Sequence, residues 1–210
     1  MPTDIVSSLI VTNLNDSLRV RGYKRFNYIW NRRRGDFTHV IELQDMHGAS
    51  PDSALFTVNF GVFIATVLQV VWGKAEPKCV RDVDCVIAAR IGQLMPGGLD
   101  KWWRIDPSVN LGAFVEEVTD AISVYSEKFF DRVRDLDGIR TYMLEQKANV
   151  SSYGLERINL AVIEIMLGNG ANAKALLDSF EGDNVWGVRA ERVNRYLQTS
   201  QTSGGVRSRS

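Results

Sequence analysis

Apolar residues near the start of the chain recur every three or four positions: Ile5, Val6, Leu9, Ile10, Leu14 and Leu18. That spacing predicts one amphipathic helix over 4–20, with Thr3 as its N-cap and Gly22 as its stop. The period then changes to two. Phe26, Tyr28 and Trp30 alternate with Asn27, Ile29 and Asn31, Arg34-Gly35-Asp36 signals a turn, and Phe37 to Gln44 follows as a second strand. The pair reads as a hairpin. Residues 46–52 (MHGASPD) have loop composition. Leu55 to Phe63 is the third strand, with Phe56, Val58, Phe60 and Val62 on one face. Residues 64–72 fit a helix or a strand equally well. A polar loop follows over 73–84, then a fourth strand over 85–94, a turn at Pro96-Gly97-Gly98 and a short fifth strand over 101–105.

After Pro107 the pattern is helical. Leu111, Phe114, Val118, Ile122 and Tyr125 form one long stripe that runs on to Phe129 and Val133. Shorter helices are expected around Ile139 and Met143, over 153–167, over 171–180 and from Trp186 to Leu197. Residues 199–210 have no apolar period and read as a disordered tail. Strands come first and helices second, which favours α+β with an antiparallel sheet over a parallel α/β sheet. The expected fold is an N-terminal helix, a four- or five-stranded antiparallel sheet and a helical C-terminal layer. Its expected divisions are an α+β domain over 1–135, a helical extension over 136–198 packed on it, and the tail.

Four stretches carry a resemblance: RGYKRFNYIWNRR (21–33), VIELQ (40–44), FTVNFGVF (56–63) and ARIGQLMPGGLDKWW (89–103). In this order and spacing they resemble the bacterial domain-of-unknown-function family 4304, over about residues 4–135. The resemblance implies a cytoplasmic bacterial α+β protein. It implies no activity, so it brings no catalytic residues.

Composition narrows the classes. The 210 residues are 45% hydrophobic and 24% charged, ordinary globular values that argue against a disordered chain or a small disulfide scaffold. No signal peptide is expected, because no basic segment precedes the first apolar residues. The least charged stretch, 53–73, contains Thr57, Asn59, Thr66 and Gln69, so no membrane span is expected. Cys79 and Cys85 are expected as free thiols in a reducing cytoplasm. With His39 and His47 they give C-x5-C and H-x7-H, which are not zinc spacings, so no metal site is expected.

No catalytic motif stands out. G-x-S-x-G, H-E-x-x-H and the phosphate loop G-x-x-x-x-G-K-[ST] are absent, and GNGANAK (168–174) follows a helix, where it reads as a turn. No cofactor is assigned. Strand alternation does collect polar groups on the sheet face opposite Phe56, Val58 and Phe60. Gln44, Asn59 and Arg90 would line it, with Trp102 or Trp103 at its edge, an arrangement suited to a carboxylate, a phosphate or a base. The competing structural reading pairs Arg90 with Glu42 and packs the tryptophans in the core.

Charge adds a second candidate. The formal net charge is zero, yet residues 19–34 hold seven basic residues and no acid, while residues 35–138 sum to −7. Arg32, Arg33 and Arg34 are candidate partner-surface residues, unless acidic helices neutralise them internally. A nucleic-acid track is not expected, because Phe26 to Asn31 would separate the charges at the two ends of the strand by ~20 Å. The leading expectation is a non-enzymatic protein-binding module, immunity-like or regulatory. The alternative is an enzyme processing a small ligand or nucleotide at the polar sheet face, using Gln44, Asn59, Arg90 and Trp103. A nucleic-acid binder using the 19–34 ribbon comes third.

Overall fold

The computed structural model describes the backbone of residues 2–50, 53–105, 108–147, 154–178, 180 and 185–204. Side chains are described at 10–44, 55–105, 108–146, 154–178, 180 and 186–200. The chain falls into two compact units. One holds Met1–Phe63 and Pro77–Asp131, the other Ile64–Glu76 and Arg132–Ser210.

The first unit begins with helix α1 (Pro2–Val20), which buries Ile10, Val11, Leu14 and Leu18. A six-stranded antiparallel sheet follows. Its strands are β1 (Lys24–Phe26), β2 (Ile29–Arg34), β3 (Phe37–Ser50), β4 (Ser53–Ile64), β5 (Ile87–Arg90) and β6 (Trp103–Ile105). They are ordered β1-β2-β3-β4-β5, and β6 pairs with the start of β4, Phe56 opposite Trp103. Helix α4 (Leu111–Arg132) lies on one face of the sheet. There Phe114 meets Phe56 edge-on, Phe129 and Phe130 meet Phe60, and Phe130 stacks on His39. Burying each such aromatic contributes on the order of 1.5–3 kcal/mol.

One element departs from the alternating pattern. The expected strand over 26–31 is broken at Asn27, whose φ of 54° is left-handed. Asn tolerates that region better than other non-glycine residues, so the chain reverses between β1 and β2 and the sheet gains a strand. Lys24 comes to lie opposite Asn31, and Arg25 opposite Trp30. Trp30 is fully buried, while Phe26 and Tyr28 are exposed. The basic residues expected at opposite ends of one strand are thereby gathered at one end of a hairpin.

Two boundaries also differ, and one open segment resolves. Residues 46–50 of the expected loop continue β3, and 51–52 lie outside the described residues. The ambiguous 64–72 is helix α2 (Ala65–Trp72), ended by Gly73 at a φ of 65°. The expected fourth strand stops at Arg90 and continues as the short helix α3 (Ile91–Leu94), where the Gln93 side chain accepts from the Arg90 N–H at 2.9 Å and Gly92 packs against the backbone of Leu99 and Lys101.

The second unit is helical: α2, α5 (Leu136–Lys147), α6 (Gly154–Met166), α7 (Gly170–Leu177) and α8 (Val185–Gly204). α6 is its centre, buried from Ile158 to Ile165 and packed by α2, α5, α7 and α8. Its one buried carboxylate, Glu164, accepts from Arg140 Nε at 2.7 Å and Asn169 Nδ2 at 2.8 Å. α8 covers residues 199–204 of the segment expected as a tail, and 205–210 lie outside the described residues.

Candidate functional site

The polar sheet face brings together the residues that strand alternation puts there. Asn59 and Arg90 are cross-strand partners. Gln44 Oε1 accepts from Asn59 Nδ2 at 2.9 Å and from Arg90 Nη2 at 3.5 Å. The face is covered, however, by a strap over 79–85. Asn31 holds the strap by both ends of its amide, donating to the Val80 carbonyl and accepting from the Val80 N–H, each at 2.9 Å. Glu42 takes the Arg81 guanidinium at 2.8 Å and the Asp82 N–H at 2.9 Å. The second amide hydrogen of Asn59 goes to Asp82 Oδ2 at 2.6 Å. Farther along, Thr57 donates to the Lys101 carbonyl at 2.8 Å.

Both amide hydrogens of Asn59 are thus engaged within the protein. Arg90 does not pair with Glu42; it pairs with Asp100 at 2.9 Å and lies over the Trp102 ring. Trp102 also donates to Asp100, at 2.8 Å. Trp103 is not part of this group. It is buried on the helix side, stacked on Phe56, and its Nε1 donates to Glu117 at 2.9 Å. That hydrogen bond is the main reason the Glu117 carboxyl is held below its usual range.

The cysteines belong to the strap region. Both are free thiols. Burial pushes the Cys85 thiol well up, since a thiolate there would lose its hydration, and burial also raises Cys79. Among the described residues, no group of three or more His, Cys, Asp or Glu side chains is placed to hold a metal ion. None of the helices among those residues is long and apolar enough to cross a membrane.

The second candidate is a basic corner. Antiparallel pairing sets Arg32 opposite His39 and Arg34 opposite Phe37. Alternation then puts Arg32 and Arg34 on the α4 side of the sheet, and Arg33 on the other side with Asn31. Arg32 and Arg34 open onto a cavity of about 360 Å³, together with Arg21, Tyr23, Glu127 and Phe130. Arg21 is tied down, to Glu127 Oε1 at 2.8 Å and Ser123 Oγ at 3.0 Å. Arg32 lies over the Tyr23 ring, 4.6 Å from its centroid, and donates to His39 Nδ1 at 3.0 Å. A guanidinium has no acceptor, so His39 Nδ1 must accept and the ring proton must sit on Nε2. Burial, then Arg32 and Arg34, lower His39 to a pKa of about 4. The imidazole is therefore neutral at pH 7. Burial raises Tyr23 to about 12, which keeps its hydroxyl protonated.

Among the described residues, neither Arg32 nor Arg34 meets a carboxylate. Arg32 Nε is buried without an acceptor. The cavity lining therefore carries three guanidiniums against one carboxylate.

Residues 14–132 match the family described as Domain of unknown function (DUF4304). The chain belongs to this family. The matched segment contains the sheet, α4, the strap and every residue of the basic corner. No curated protein and no solved structure matches the chain.

Proposed function

We propose that this DUF4304 protein is a non-enzymatic protein-binding module, immunity-like or regulatory, that takes an acidic surface of its partner at the basic corner. The observation that carries this reading is the absence of any carboxylate on Arg32 and Arg34 among the described residues. Arg25 joins them across the hairpin, Lys24 and Arg33 extend the charge to the opposite side of the sheet, and exposed Tyr28 adds an aromatic on the same hairpin. Arg and Tyr carry a disproportionate share of binding energy at protein interfaces. The reading that places a small ligand at Gln44, Asn59 and Arg90 has weaker support, since both amide hydrogens of Asn59 are spent within the protein and Arg90 is paired with Asp100. A bacterial cytoplasm is consistent with two free thiols and belongs to the same proposal.

A photo-crosslinking residue at Tyr28 or Arg33, introduced in the native host, tests the reading. The captured protein is then purified and titrated against the unmodified chain and an Arg33→Glu/Arg34→Glu variant. The expected result is an acidic partner whose affinity falls at least about tenfold on charge reversal. Affinity unchanged by the reversal, or no product above that from a control position at Asp120, would overturn it.

A further inference from the structure

We propose that the Arg21–Arg32–Arg34 cavity is a binding site for a small phosphate monoester. The phosphate would lie between the Arg32 and Arg34 guanidiniums, and its organic substituent against Tyr23 and Phe130. This goes beyond the protein-binding reading and stands without it, because an acidic partner surface requires no cavity.

Three observations carry it. The first is charge. Three guanidiniums against the single carboxylate of Glu127 leave the lining two positive charges in excess, which a phosphate dianion balances and a carboxylate does not. The second is preorganisation. Arg32 is held from behind by the neutral His39 acceptor and from one side by the Tyr23 ring, and its Nη1 donates to the Arg21 carbonyl at 3.4 Å. Of its five N–H donors, Nε and one on each terminal nitrogen have no partner among the described residues. Arg34 stands two residues along the same strand face, ~7 Å away by strand rise, so two forks converge on one anion. Such planar, bidentate recognition is where Arg outperforms Lys.

The third is size. A cavity of about 360 Å³ lies in the lower range of small-molecule sites. A bare phosphate displaces only a few waters of ~30 Å³ each, so space remains beside it. The walls of that space include Val20, Ser126 and two aromatics. Tyr23 is one, and Phe130, backed by its stack on His39 at 4.1 Å, is the other. An anion with an apolar or aromatic substituent fills it better than an inorganic ion.

The test is isothermal titration of the full chain with phenyl phosphate, inorganic phosphate and benzoate. Phenyl phosphate is expected to bind saturably, with a Kd on the order of 100 μM. Inorganic phosphate should bind about tenfold more weakly, and benzoate more weakly still. Arg34 is exposed and has no partner among the described residues, so Arg34→Gln should leave the thermal midpoint unchanged while weakening phenyl phosphate about tenfold. Arg32→Gln, which gives up the His39 contact, serves as a second variant and should lose binding altogether. No saturable heat up to about 10 mM phenyl phosphate, benzoate binding as tightly, or an Arg34→Gln variant that binds normally would each overturn the proposal.

Discussion

His39 holds the basic corner in place by remaining uncharged. Its folded pKa of about 4 lies below its ordinary value of 6.5. Between those values the unfolded chain binds a proton that the folded chain refuses. Stability is therefore lost as pH falls from about 6.5 towards about 4, and the loss is complete below that range. A shift of this size corresponds to about 3 kcal/mol. His39→Gln keeps an acceptor for Arg32 but cannot titrate. In urea melts between pH 7 and pH 4.5, the variant should start less stable, through the lost stack on Phe130, and then fall less steeply than the wild type. Equal slopes would show that His39 does not set the acid limit. At the same scale, the sequence already contained the split between Arg32 and Arg34 on one side and Arg33 on the other, through strand alternation alone. What it concealed was the reversal at Asn27. An aromatic at every second position reads as one strand, and Asn-Tyr lacks the Asn-Gly signature of a tight hairpin turn.

The strap over 79–85 is the element that changes the meaning of the polar sheet face. Alternation puts Gln44, Asn59 and Arg90 on one face, where they adjoin, but the segment that covers Asn59 has no periodicity to announce it. Asn31 and Glu42, which anchor it, look in the sequence like ordinary polar positions of half-exposed strands. The choice between Trp102 and Trp103 turned on where β6 begins, a single residue of register, and a three-residue strand gives no pattern to set it. Two outcomes follow for the strap. Glu42 is buried and accepts three charge-assisted or backbone hydrogen bonds, so Glu42→Ala should cost roughly 2–3 kcal/mol. It should also raise the alkylation rate of Cys85 more than that of Cys79, and equal acceleration of both would mean the strap opens as a whole. Gly61 must lack a side chain for a different reason. A Cβ there would lie 2.5 Å from Cys85 Sγ. Gly61→Ala should destabilise by about 1–3 kcal/mol, and Cys85→Ala in the same chain should recover part of the loss. Purely additive effects in a denaturation cycle would contradict that contact.

At the scale of the whole molecule, zero net charge hides a segregation that intramolecular pairing removes only in part. Arg21 finds Glu127, whereas Arg32 and Arg34 find no carboxylate among the described residues. The hairpin reversal removes the ~20 Å gap that the alternating pattern implied between the charges. It leaves a compact corner, not a track along which a duplex could lay one charge every ~1.7 Å. With no net charge to steer a polyanion, no submicromolar affinity for labelled duplex or single-stranded DNA is expected near physiological salt. Tight binding with a steep salt slope, lost on changing Arg32, Arg33 and Arg34 to Ala, would reverse this. The most direct test of where the available cationic donors lie is the NMR spectrum of the arginine Nε–H groups, followed as phenyl phosphate is added. Arg32 and Arg34 should shift saturably with one common affinity, while Arg81 and Arg90, held by Glu42 and Asp100, stay in place. Shifts at Arg90 with none at Arg32 and Arg34 would move the site to the polar sheet face and contradict the assignment to the basic corner.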